Sequence, residues 1–411
     1  MAPASPPDAG ALLRHPKLWL VPTVLSALVT LVLSLLYMGG ILNPGADLDR
    51  LPIALVDEDR GGLGKEITAA LTSEGPGGVQ WHRIGAAEAQ DRLASGKVYG
   101  ALLVPRDFSA SVAALGTPRA TARPTLTVLT NPGVGSLGSS LAAQINQAAA
   151  HRASVTLGKR LAPAATDPTA RVLLADPVAV QTRVGHPIGR RSGLGLSAFY
   201  YTLLLVLSGF IGGNLIHTGV DTALGYTDSE IGPWHTRNRT VPIDRTQTLV
   251  LKMVMTAGIA LLTTSLLMLA TVGILDMDAG HLPLLWVFSY CAVVAVGLGV
   301  QAINAAFGGV GQLVSMFVFI ALALPSSGAT IPLQATPAFY RFLGAFEPMR
   351  QLTEGVRAIL YFDARADAGL TRAWVMIAIG FVAALLFGFG MTRYYDRRGL
   401  ARLTPQPEPA A

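Results

Sequence analysis

Three carboxylates stand in a row at Asp57-Glu58-Asp59, directly after the apolar stretch Leu51–Val56. Such a cluster could take a hard cation, which binds through oxygen. A divalent ion wants more oxygens than one strand end supplies, and the neighbouring sequence adds none, so the triplet reads as a solvated strand-to-loop turn. A literal G-x-G-x-x-G runs Gly133-Val134-Gly135-Ser136-Leu137-Gly138. In a dinucleotide site these glycines bring backbone against a pyrophosphate, and an acid about 20 residues on holds the ribose. No Asp or Glu lies between Asp107 and Asp167, so the motif reads as a glycine-rich turn after Asn131-Pro132. No phosphate-cradling G-x-x-x-x-G-K-[ST] occurs, and no two of the seven histidines stand three or four apart as a zinc-binding helix face needs. Cys291 is the single cysteine, which excludes an internal disulfide and a cysteine metal cage. We therefore expect no catalytic residues, no cofactor, no metal and no enzymatic activity. A last set of charges, Glu347, Arg350, Glu354 and Arg357, is spaced to pair along one helix face.

The elements that must carry these residues are set by apolar runs. One lies near the start, and five crowd into the second half. Most approach the ~20 residues a helix needs to cross ~30 Å of hydrocarbon. Hydrophobic residues make up 51% and charged residues 14%, against about 25% charged in soluble domains; mean hydropathy is +0.47. The net charge of +6 sits on 31 Lys/Arg and 25 Asp/Glu; no basic block with interleaved aromatics occurs and arginines cluster near the ends of the runs, which argues for lipid head groups and against nucleic acid.

The reading is an α-helical integral membrane protein with six transmembrane helices (1 + 5). The spans are expected at 18–40, 196–217, 249–275, 283–306, 309–325 and 372–392. Residues 1–17 form a cytoplasmic N-terminus, where Leu12, Leu13, Arg14, Lys17, Leu18 and Trp19 could lie in the interface as an amphipathic helix. The first run is longer than a signal-peptide core and lacks a small-residue cleavage site, so it is read as a retained span. Arg14 and Lys17 before it, with Arg393, Arg397, Arg398 and Arg402 after the last run, place both termini in the cytoplasm of a plasma-membrane protein. Loop 218–248 and tail 393–411 are then inside, and 41–195 outside. The runs 196–216, 253–275 and 283–324 contain no Asp, Glu, Lys or Arg, so ion-coupled transport lacks its titrating groups. A path between them would be lined by Thr, Ser, Asn, Gln and aromatics. Gly209-x-x-x-Gly213, Ala295-x-x-x-Gly299 and Gly308–Gly311 favour close helix packing.

Segment 41–195 reads as an extracytoplasmic α/β domain, with strands at 51–57, 79–84, 99–104 and 125–130 alternating with helices at 64–72, 86–95, 105–115 and 137–161. Segment 326–371 holds Pro332, Pro337 and Pro348, which break any single helix. Its short apolar pieces suit a re-entrant hairpin before the sixth span.

Three stretches carry a family resemblance: Ile53–Asp59, Gly96–Ser109 (GKVYGALLVPRDFS) and Ser327–Leu360 with Glu354-Gly355-Val356-Arg357. In these the chain resembles transmembrane subunits of ABC-2 type exporters, most closely the phage-infection-protein (Pip/YhgE-like) and nitrosoguanidine-resistance-like branch. The resemblance implies a homodimeric permease exporting an amphipathic or hydrophobic substrate, driven by a cytoplasmic ABC ATPase subunit in trans. It further implies an ATPase-coupling loop with Glu230, Arg237, Arg239 and Lys252, where relatives carry a coupling helix and this chain has Gly232-Pro233. The proline-rich stretch, with Pro332, Pro337, Glu347, Pro348, Arg350, Glu354 and Arg357, would be a re-entrant gate. Some relatives in that branch imply an alternative: a non-transporting membrane scaffold or surface receptor, as in secretion apparatus or phage reception.

Overall fold

Short apolar runs punctuated by turn residues build one mixed sheet in the computed structural model, which describes residues 16–40, 48–74, 79–115, 123–164, 174–400 and 402. Strands β1 (Leu51–Asp57), β2 (Val79–Arg83), β3 (Gly100–Val104), β4 (Thr125–Thr130) and β5 (Ala179–Val184) lie in the order β2-β1-β3-β4-β5. β1 runs parallel to β2 and β3, β4 is antiparallel to β3, and β5 is parallel to β4. Parallel neighbours require crossovers, supplied by α2 (Leu63–Glu74) and α3 (Ala86–Ala94), while α4 (Phe108–Ala114) and the long α5 (Ser136–Leu161) complete the lobe. Leu55, Leu102, Leu126, Val128 and Phe108 are buried in its core. The four expected strands and four expected helices occur with shifts of a few residues at their ends. The fifth strand was not expected: Ala-Val-Gln-Thr-Arg-Val is an exposed edge strand and has no apolar run to announce it.

The acidic triplet has a structural role. The Asp59 carboxylate accepts from the Gly64 and Ser109 backbone N–H groups, each at 3.0 Å, and from the Ser109 hydroxyl, tying the starts of α2 and α4 together.

Among the described residues, five helical runs are long and apolar enough to cross a membrane: Pro22–Gly39, Ser197–Ala223, Arg245–Ile274, Leu282–Ser326 and Leu370–Arg397. They correspond to α1 (Pro16–Gly39), α6 (Ser197–Ala223), α7 (Arg245–Met268, continued as a wider turn to Ile274), α8 (Leu282–Phe307) with the pieces that follow it, and the last helix. The fourth run is not one rod. Gly308 takes φ +58, and α9 (Gly311–Met316), a wide turn at Phe317–Ala321 and α10 (Ala323–Ser326) double back. Phe319 then packs under Gly299 of α8, where a Cβ would meet its ring at 2.6 Å. The expected spans at 283–306 and 309–325 are these two limbs. The second is ~24 Å long at about 1.5 Å per residue, short of the ~30 Å hydrocarbon layer.

After α10 come α11 (Ala338–Phe346), α12 (Pro348–Tyr361) and α13 (Leu370–Arg397). α8 is the axis of the bundle. A Cβ at Gly209 of α6 would lie 2.8 Å from the Val293 carbonyl, Gly297 abuts Thr256 of α7, and Gly388 of α13 abuts Ala302. The Gly209/Gly213 pattern thus serves packing inside this bundle.

The two ends of the bundle differ. Arg191 pairs with Asp276, and His281 with Asp363, placing the α7–α8 turn beside the lobe. At the far end Asp396 of α13 accepts from the Arg245 and Thr246 amides at the start of α7, both at 3.1 Å. α6 runs on to Ala223 rather than ending at 217, and α13 runs from 370 to 397 rather than 372 to 392. Loop 218–248 holds a two-stranded hairpin, β6 (Ser229–Ile231) and β7 (Trp234–Thr236), turning at Gly232, in place of the coupling helix the resemblance implied. Pro233 lacks the N–H a helix would use. The interfacial helix through Leu12–Arg14 and the tail beyond 402 lie outside the described residues.

Candidate functional site

At the far end, the extension of α6 carries Asp221 into the bundle, opposite Lys252 of α7. Lys252 Nζ donates to Asp221 Oδ1 at 2.6 Å and to His217 Nδ1 at 3.0 Å. Arg402, from the segment after α13, forks onto both Asp221 oxygens at 2.6 Å and stacks 4.7 Å over the Tyr226 ring. A cavity of about 130 Å³ opens beside this cluster, bordered by His217, Arg245, Lys252, Asn304 and Arg402. Above it, Gln301 of α8 donates to the Gly213 carbonyl (2.9 Å) and Thr256 (3.2 Å), and Asn304 donates to Asn214 (3.0 Å).

The other end is a junction between lobe and bundle, built from two of the stretches that carry the family resemblance, Gly96–Ser109 and Ser327–Leu360, with Pro52 of β1 beside them. Tyr99, just before β3, donates to Gln334 at 3.0 Å, and its N–H donates to the Pro52 carbonyl in β1. Burial pushes the Tyr99 hydroxyl up to about 12. Phe362 fills the space beside Gly96 and Gly133. Gly135, at φ +111, lets Arg357 pass so closely that a Cβ would lie 2.8 Å from its Nη2. The glycine motif is therefore a docking surface for the segment after α10, where the sequence alone offered a turn. Rim pairs Lys97–Asp367 (2.6 Å) and Arg365–Asp91 (2.8 Å) join the lobe to the start of the last helix. Arg365 and Lys97 hold the Asp367 carboxyl well below the usual carboxylate range. Exposed pairs of this kind contribute little, so the buried contacts of Tyr99, Phe362 and Arg357 carry the docking.

The expected charge ladder on α12 forms only in part. Arg350 and Glu354 pair at 3.1 Å. Glu347 instead caps α12, accepting from the Met349 (2.9 Å) and Arg350 (3.0 Å) amides. Arg357 faces the junction and donates to the Ala329 carbonyl at 3.0 Å. Pro332 and Pro337 precede the short helical turn at Leu333–Ala335 and α11, and Pro348 is the first residue of α12.

Between α8, the returning limb, α12 and α13 lies a third feature, an apolar cavity of about 410 Å³. Ala295, Gly299, Phe319, Leu352, Ile377 and Ala384 are among its walls, Gln351 is its single polar lining residue, and no charged residue lines it among the described residues. Of the expected lining of Thr, Ser, Asn, Gln and aromatics, Gln351 and phenylalanines border this cavity among aliphatic residues, and no Thr, Ser or Asn does among the described residues. Gln301 and Asn304 instead reach across to Gly213, Thr256 and Asn214, joining α6, α7 and α8.

Of the residues assigned to a coupling loop, Glu230, Arg237 and Arg239 lie exposed on or just after the β-hairpin, with Arg237 3.6 Å from Asp228. Lys252 is buried and does not belong with them. Asp221, His217, Gln334 and Phe362 carry no signal in the sequence reading, Arg402 enters it only as a basic residue after the last run, and Tyr99 only within the stretch Gly96–Ser109. Asp221 and Lys252 each fall just beyond the uncharged apolar windows. Which faces of the two helices meet is fixed by packing and not by the length of either one.

These features define a multi-pass membrane protein with an α/β lobe docked on one end of a helical bundle. The chain belongs to the family described as protein of unknown function DUF3533, whose profile matches residues 21–380. No curated protein matches the chain. Among solved structures, the chain is similar to a domain of a candidate ABC type-2 transporter from Thermotoga maritima MSB8, at 20% identity over 33% of this chain and 86% of that one, with a TM-score of 0.24.

Proposed function

We propose that the chain is the permease subunit of an ABC-2 type exporter of the Pip/YhgE-like kind, moving an amphipathic or hydrophobic substrate outward. In this reading it lies in the plasma membrane with both termini cytoplasmic, and the returning limb 311–326 makes the sixth crossing. It performs no chemistry of its own and works as a homodimer with a separate ATPase. The observation that carries the reading is the uncharged cavity of about 410 Å³ between α8, α12 and α13. Such a space suits apolar cargo and offers no titratable group to drive ion coupling. Support comes from the junction, where two of the resemblance stretches, Gly96–Ser109 and Ser327–Leu360, meet. The far-end hairpin, with Glu230, Arg237 and Arg239 exposed, is the surface for the ATPase, and it hangs between α6 and α7, which the Asp221–Lys252 pair ties together.

The test is reconstitution of the full chain with its ATPase in proteoliposomes. Amphipathic compounds are expected to stimulate ATP hydrolysis severalfold, and Ala295→Phe, which fills the cavity, to abolish the stimulation. A verified partner ATPase indifferent to every compound would sink the permease reading and leave the receptor reading. For sidedness, impermeant maleimide is expected to label Arg106→Cys in intact cells and not Glu230→Cys.

A further inference from the structure

A third cavity, of about 290 Å³, lies in the junction and is bordered by Lys97, Tyr99, Gln334, Glu354, Arg357 and Asp367. It is at the small end of the ~300–1,000 Å³ range of ligand sites, room for a head group and not for a whole lipid. Its acids are already engaged: Glu354 by Arg350 at 3.1 Å and Asp367 by Lys97 at 2.6 Å. Arg357 is different. It is 9% exposed, and its donors meet only the Gly328 (3.4 Å) and Ala329 (3.0 Å) carbonyls. Its Nε has no acceptor, and no carboxylate pairs with it among the described residues. The carboxylate that acts on it, Glu354, is held by Arg350 and forms no ion pair with it; a buried guanidinium is costly to leave unpaired, and its planar fork matches carboxylate and phosphate. Three positive-φ glycines, Gly96, Gly135 and Gly369, pack against Phe362, Arg357 and Glu354 around this site, where side chains would collide. α12 also walls the apolar cavity through Gln351 and Leu352, so one helix borders a polar and an apolar space.

We propose that this junction pocket binds the phosphate or carboxylate group of an anionic amphiphile, with Arg357 as its anchor. The site goes beyond the transport reading, because a receptor would hold the same group there.

The test is isothermal titration of the full chain in a neutral maltoside detergent. Dihexanoyl phosphatidic acid is expected to bind at least tenfold more tightly than dihexanoylglycerol. Arg357→Gln should weaken that binding at least tenfold. Gln334→Glu keeps an acceptor for Tyr99 while adding a repelling charge, and should weaken it at least fivefold. Arg393→Gln, exposed at the far end, should leave it unchanged. Competition by inorganic phosphate would assign the group as a free anion, and its failure to compete would assign a head group held with its chains; either supports the pocket. Equal binding of the neutral glyceride overturns the proposal. So does wild-type affinity in Gln334→Glu, which carries the test if Arg357→Gln does not fold.

Discussion

Replacing Asp221 with Asn should be among the most damaging single changes at the far end of the bundle. The side chains of Asp221 and Lys252 are 4% and 5% exposed, and their atoms are 2.6 Å apart. Removing the carboxylate leaves Lys252 and Arg402 facing one another with no anion between them. Breaking a buried pair in this way costs about 3–5 kcal/mol. That agrees with ~4 kcal/mol for two unit charges 4 Å apart at an effective dielectric of 20. Lys252→Met should cost less, about 1–3 kcal/mol, because Asp221 keeps the Arg402 fork. Arg402→Gln should cost about 1 kcal/mol or less, since the Arg402 side chain is 22% exposed and the inner pair survives. The double change Asp221→Asn/Lys252→Met should recover most of the loss of Asp221→Asn. The assay is heat unfolding of the full chain in neutral detergent, followed by tryptophan fluorescence. If Asp221→Asn unfolds at the same temperature as Arg402→Gln, or the double change is worse than either single one, the pair is not desolvated and the reasoning is refuted.

Gly135→Ala forces a side chain into φ +111 and against Arg357; it should cost about 1–3 kcal/mol, read as a lower melting temperature and faster proteolysis of the lobe, while Gly62→Ala, with open space around it, should not. Glu347→Ala removes the cap of α12 and should cost about 0.5–2 kcal/mol, with Glu347→Asp, which keeps a carboxylate, recovering part of it in the same melting assay. Asp367→Asn should make the lobe easier to proteolyse at neutral pH and low salt. Because Arg365 and Lys97 depress the folded Asp367 pKa, its contribution is complete above the ordinary carboxylate pKa of about 3.9 and fades as pH falls toward the folded value. Wild type and Asp367→Asn should therefore converge only in strong acid, or at neutral pH in about 1 M salt; a difference that vanishes at pH 6 would contradict the pairing.

The membrane character, the 1 + 5 order of apolar runs and the alternation of the lobe were legible in the chain because each rests on local patterning. A run of apolar residues needs hydrocarbon around it whatever its neighbours are, and strands such as Leu51–Asp57 are buried on both faces, so they read as unbroken apolar runs. Helix ends were less legible. The fourth run was separable at Gly308 because glycine tolerates the turn there, yet its second limb is short and stands only by packing against α8. Local patterning tells which segments avoid water and where they must break. That Asp221 meets Lys252 and Arg402, and that Gly135 makes room for Arg357, follows from the folded arrangement alone. Hydropathy is a property of one segment, whereas ion pairing and close packing belong to two surfaces whose meeting is fixed by the whole chain.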